Sequence, residues 1–140
     1  MQARQTTNQA DPGALVTKEI DVADYQPISD PQNVKRYLAD YFADIPLLAK
    51  IAGCESHNRQ FDKNGNVIRG EVNHYDVGVM QINELYHADE AKALGYDIYT
   101  LDGNAAFGRY LYEHDGGSQP WSSSSPCWSK YISGAEIAKK

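Results

Sequence analysis

Residues 76–83, DVGVMQIN, constrain the fold more than any other stretch of the chain. An acid, Asp76, stands close before a glycine, Gly78, and the side-chain amides of Gln81 and Asn83 are interleaved with Val79, Met80 and Ile82. Amides set among apolar residues need hydrogen-bond partners once they are buried. Any fold this chain adopts must satisfy those groups.

At 140 residues the chain suits one domain with a core that can stand alone. Hydrophobic residues at 41% and charged residues at 23% are ordinary for a globular protein, so composition does not point to disorder or to a fibrous chain. No apolar run approaches the roughly 18 residues of a membrane span. The N-terminus has neither a basic n-region nor an apolar h-region, so no signal peptide is visible in it. A net charge of −6 argues against bulk attraction to nucleic acid or anionic membranes. It leaves open a substrate read by shape and hydrogen bonds in a cleft. Cys54 and Cys127 belong to no CxxC pair and have no histidine cluster beside them, which argues against zinc. One long-range disulfide in an oxidising compartment and two free buried thiols in a reducing one are the two readings left by cysteine count.

Residues 1–29 are polar, lack a helical period and are expected as a flexible arm, within which ALVTKEIDV is the part able to form a strand or pack on the domain. The domain is expected over residues 30–140. Asp30 suits an N-cap and Pro31 the first helical position. Val34, Tyr37, Leu38, Tyr41 and Phe42 then fall on one apolar helical face. A second helix is expected from Asp44 and Pro46 through LLAKIAGCES, with Leu48, Ile51 and Ala52 inward, Cys54 and Glu55 at its end, and Gly53 permitting close packing. Asn64-Gly65 is a signal for a tight type I′ hairpin. The stretch DKNGNVIRGEVN has the polar rhythm of a calcium loop but lacks its glycine and its terminal glutamate, and is rejected as one. Further helices are expected over HADEAKALG, closed by Gly95, over DGNAAFGRYLYEHDGG, capped by Asp102 with Ala106, Tyr110 and Leu111 on one side, and from Trp128 to Ala138. The inventory predicts an α+β domain, mostly α, with one small β-hairpin.

Glu55 precedes Asp76 by 21 positions, with the expected hairpin between them, so the two acids can face one cleft. Paired carboxylates flanking a glycosidic bond supply an acid and either a base or a nucleophile. Against this, Glu55 also reads as a solvated residue at a helix end, and Asp76 as a bonding partner for backbone amides.

CESHNRQF followed about twenty positions later by DVGVMQIN resembles the lysozyme superfamily, especially the bacterial lytic transglycosylases with the soluble-transglycosylase domain. The likeness continues through GYDIYTLDGNAAFGRYLYEHDG and spans residues from about 31 to 128. It implies a lysozyme-like helical domain whose hairpin lies beside the cleft. It further implies cleavage of the β-1,4 bond between N-acetylmuramic acid and N-acetylglucosamine, with Glu55 as the acid. Ser56 would orient the carboxyl or the sugar, Gly78 would let backbone approach the glycan, and Met80 and Gln81 would floor the cleft, with Asn83 fixing its wall. The partner implied is the peptidoglycan strand, at the cell envelope or secreted, with no cofactor or metal and with the chain acting as a monomer.

Two departures from the family pattern matter. Asp76 stands where animal lysozymes carry their second carboxylate, so a hydrolytic muramidase using Glu55 and Asp76 is the alternative, and a glycan-binding module without catalysis a further one. Where transglycosylases carry a tyrosine that contacts the glutamate, this chain has PWSSSSPCW. A serine among Ser122–Ser125 is the candidate substitute, or else the loop only closes the fold, and Trp121 reads either as a sugar-stacking or as a core residue. The resemblance also favours the disulfide Cys54–Cys127, which would tie that loop beside Glu55.

Overall fold

The structure, a computed structural model, describes residues 19–132. Among them the protein is mostly helical with one two-stranded antiparallel sheet. The order is α1 (Pro31–Tyr41), α2 (Pro46–Ser56), β1 (Asp76–Val77), β2 (Ile82–Asn83), α3 (Glu84–Ala93), α4 (Leu101–His114) and the short α5 (Ser125–Trp128). Single 3-10 turns lie at Val22–Tyr25, Gln119–Ser124 and Ser129–Tyr131. No described helix is long and apolar enough to cross a membrane.

Helix α1 starts as its sequence dictates: Asp30 accepts from the Gln32 N–H at 2.9 Å, and Pro31 opens the first turn. Val34, Tyr37, Leu38 and Phe42 are buried, and α2 packs on them through Leu47, Leu48, Ile51 and Ala52. Residues 19–29, expected as part of a flexible arm, pack on α1 instead. Tyr25 is buried edge-on to Tyr37 and donates to Asp40 at 2.6 Å. Residues 1–18, and with them most of ALVTKEIDV, lie outside the described residues. So do residues 133–140, which take most of the helix expected from Trp128 to Ala138; Trp128 itself ends α5.

Four further expectations are corrected. Asn64-Gly65 does not make a type I′ turn, because only Gly65 is left-handed (φ +85°). Asp62 supplies the reason: its carboxylate accepts from the N–H groups of Asn64 and Asn66 at 2.8 and 3.0 Å and holds a longer turn under the single Phe61–Val67 bridge. The sheet forms in DVGVMQIN itself, with Asp76 opposite Asn83 and Val77 opposite Ile82. Helix α4 is capped by Thr100, which accepts from the Gly103 N–H at 3.1 Å; Asp102 sits in the first turn. Its buried face is Leu101, Asn104, Ala105, Phe107, Gly108 and Leu111, so Ala106 and Tyr110 lie to one side. A Cβ on Gly53 would only touch Asn58 at 3.7 Å, so close packing is not what that glycine serves. Gly95 does close α3 as expected: its N–H bonds Lys92 and that of Tyr96 bonds Ala91, at 3.0 and 2.8 Å.

The turn Gly78–Gln81 between β1 and β2 is buried over Gly78, Val79 and Met80. Its polar backbone is therefore satisfied from outside the hairpin. Gln60 accepts from the Val79 N–H at 2.8 Å, and Asn104 accepts from the Met80 N–H at 2.7 Å. The Asn104 amide also donates to the carbonyls of Val77 and Ile98 at 2.9 and 2.8 Å. Trp121 closes the set by donating to the Met80 carbonyl at 2.8 Å.

Gly78 has φ +77°, and a Cβ there would strike the Asn104 amide and come within 2.8 Å of Gln60. Gly78→Ala is expected to cost at least about 2 kcal/mol, since it combines backbone strain with overpacking against buried amides. Urea unfolding of the variant checks this, and a loss under about 0.5 kcal/mol would show the turn to be loosely held.

Candidate active site

Glu55 is carried on the last turn of α2, and His57 ends that helix in the left-handed conformation (φ 57°). The exposed carbonyls of a helix C-terminus carry partial negative charge, a poor setting for a carboxylate. The Glu55 side chain is half-buried. One of its oxygens, Oε2, accepts from the Ser124 hydroxyl at 2.6 Å. Ser124 in turn accepts from the Trp128 indole N–H at 2.8 Å and lies 3.1 Å from the Trp121 carbonyl.

Burial holds the Glu55 pKa above its ordinary value. The Ser124 hydrogen bond, which favours the ionised form, works against this, and the nearby Asp76 charge adds to the rise. Glu55 and Asp76 are thus within electrostatic reach of each other. Asp76 is fixed in β1 by the Asn83 side chain, which donates to its Oδ1 at 3.1 Å.

The disulfide Cys54–Cys127 joins α2 to α5, with Cα atoms 6.0 Å apart and 73 positions between them in sequence. A closure of that span contributes roughly 4 kcal/mol by chain entropy. It also binds the residue beside Glu55 to the segment that carries Ser124. Of the four serines from 122 to 125, the structure sets Ser124 against the glutamate.

Other expected site residues are engaged within the fold. The Ser56 hydroxyl donates to the Ala52 carbonyl at 3.0 Å and accepts from the Arg59 N–H at 3.3 Å, so it finishes the helix and does not orient Glu55. Gly78 faces buried amides, so its missing side chain serves the core and not an approaching glycan. Met80 is fully buried against Gly108 of α4 and is core, not cleft floor. Gln81 donates to the Gly78 carbonyl of its own turn at 3.0 Å. Asn83 caps α3 by accepting from the Tyr86 N–H at 3.1 Å while it holds Asp76. Trp121 is a core tryptophan whose ring is buried.

Sequence reasoning passed over Gln60, Asn104, Glu84 and Trp128. Glu84 accepts from Arg69 at 2.7 Å and from the Tyr99 hydroxyl at 2.6 Å, tying three segments around the hairpin. The sequence signal for Asn104 was an amide at a core position of an otherwise apolar helical face. Two concavities, about 780 and 860 Å³, lie elsewhere: one between residues 19–22, α1 and α4, the other around residues 44–46 and 112–119. Neither is lined by Glu55 or Asp76. No group of residues among those described has the makings of a metal site.

Comparison of the chain with protein-family models, with characterised proteins and with solved structures found no match. The site therefore stands on its own chemistry: a partly desolvated carboxyl whose charged form is disfavoured, oriented through one oxygen and within electrostatic reach of a second acid. Such a pair can donate a proton to a leaving oxygen and accept one back.

The raised pKa of Glu55 has a consequence for stability. The folded chain keeps this proton over a pH window in which the unfolded chain has lost it. The stabilisation is therefore present at acid pH and is lost as pH rises through the raised value. Glu55→Gln is expected to change stability little near about pH 4 and to stabilise the fold near about pH 7. Urea titrations at both pH values check this; a variant less stable than wild type at neutrality would contradict it.

Proposed function

We propose that the protein cleaves peptidoglycan glycan strands at the β-1,4 bond between N-acetylmuramic acid and N-acetylglucosamine, as a lytic transglycosylase of the lysozyme-like superfamily. The observation that carries this reading is the Glu55 carboxyl, half-buried, held above its ordinary pKa and hydrogen-bonded through Oε2 by Ser124. The motif order of CESHNRQF and DVGVMQIN supports it.

In this reading protonated Glu55 gives its proton to the bridging oxygen as the bond from that oxygen to the muramoyl C1 breaks. The positive charge that develops at C1 is felt by the Asp76 carboxylate. Glu55, now ionised, takes the proton of the C6 hydroxyl as its oxygen closes on C1. A 1,6-anhydro ring forms, Glu55 is protonated again, and no water is consumed. A polymeric substrate lies along a surface and not in an enclosed cavity, and the action is at the cell envelope or outside the cell. The disulfide suits that oxidising setting.

A second reading rests on Asp76. Its charge acts on Glu55 and its carboxyl is oriented by Asn83, an arrangement that also serves hydrolysis by two acids. The two reactions differ in product by one water.

Mass spectrometry of fragments released from purified peptidoglycan separates them. Anhydro-muramoyl ends are expected, and Glu55→Gln is expected to lower release by about 10²-fold or more. Asp76→Asn should cost less than about tenfold for a transglycosylase and about 10²-fold or more for a two-acid hydrolase. Reducing ends would establish hydrolysis. No release from any wall preparation, with binding retained, would leave a glycan-binding module.

A further inference from the structure

Ser124 has three polar neighbours and one proton to share among them. The Trp128 indole N–H, 2.8 Å away, can only donate, and the Trp121 carbonyl, 3.1 Å away, can only accept. The third neighbour, Glu55 Oε2 at 2.6 Å, accepts when ionised and donates when it carries the proton. These three are the hydrogen-bond partners of the hydroxyl, so when Oε2 carries the Glu55 proton the serine proton is left to the Trp121 carbonyl.

We infer that Ser124 is a two-state positioning residue for Glu55. It donates to Oε2 of the carboxylate, and it turns its proton to the Trp121 carbonyl and accepts from Oε2 when that oxygen is protonated. Trp128 donates to the serine in both states and keeps Oγ in place, so only a hydrogen moves. In the second state every group is satisfied: Ser124 accepts two bonds and gives one. In the first, the bond to a charged acceptor is the stronger kind.

The surroundings isolate this device. The segment Gln119–Trp128 contributes no ionisable side chain, since its cysteine is in the disulfide. The charge that bears on Glu55 comes from Asp76 of β1. The disulfide one residue from Glu55 and three from Ser124 holds the two sides together. The catalytic meaning rests on the proposed acid-then-base role of Glu55, for which a partner that fits both forms without moving heavy atoms is an advantage. The device itself does not depend on that role.

The test therefore reads protons and not cleavage. In the full chain, the Glu55 carboxyl carbon and the Trp128 indole N–H are followed by NMR against pH. Both resonances are expected to move with one midpoint. In Ser124→Ala the Glu55 midpoint should rise by about one pH unit, because the lost bond favoured the ionised form. The Trp128 signal should then no longer follow it. Ser124→Thr, which keeps the hydroxyl, should restore both behaviours. A Trp128 signal that ignores the titration of Glu55 in wild type would overturn the inference. So would a signal that follows it unchanged in Ser124→Ala, since that marks a direct effect of charge. The wild-type measurement decides even where the alanine variant fails to fold. Absence of glycan cleavage would count against the proposed function and leave this result standing.

Discussion

Everything near the candidate site depends on the burial of an irregular turn. A four-residue connection normally sits in water, where its amides and carbonyls are solvated. Here Gly78, Val79 and Met80 are in the core, and leaving their backbone groups bare would cost roughly 1–3 kcal/mol each. Gln60, from the loop after α2, and Asn104, from α4, answer those groups directly. The bonds also set distances: they fix the hairpin against α4 and thereby fix Asp76, which heads β1. Asn83 finishes the arrangement, because one side chain caps α3 and holds the Asp76 carboxyl.

What the sequence disclosed follows from this division. Helix α1 was legible because local signals agree: a capping aspartate, a proline in the first turn and an apolar period that α2 covers. The demand for partners around DVGVMQIN was also legible, but their identity was not. The amides inside the motif, Gln81 and Asn83, mostly serve their own turn and the next helix. The partners come from 19 and 24 positions away, and nothing local in the sequence announces such pairings. The same separation explains why Ser124 was narrowed only to four serines, since it meets Glu55 across 69 positions. Asn64-Gly65 misled for the opposite reason. A local competitor, the Asp62 carboxylate, takes the turn's amides and overrides the dipeptide's preference.

Glu55 sits between opposed influences. Burial, the helix end and Asp76 all disfavour its charge, while the Ser124 hydroxyl favours it. With no hydroxyl the carboxyl would ionise less readily; in open water it would hold its proton less readily. The proposed reaction needs both forms within reach near working pH. The serine is therefore better understood as a limit on the effect of burial than as one more support.

The disulfide thereby gains a role beyond chain entropy. A hydroxyl moved a fraction of an ångström from 2.6 Å loses much of its hold on a carboxylate, because strong charge-assisted bonds are short. Ser124 lies in a 3-10 turn and Trp128 ends a four-residue helix, and so short a helix has little internal stability. Three anchors hold this segment to the rest of the domain: Trp121 to the Met80 carbonyl, the buried Trp128, and Cys127 to Cys54. The covalent one lies beside Glu55 itself. The acid is thus tuned by a weak piece of secondary structure, held in register by two tryptophans and one bond.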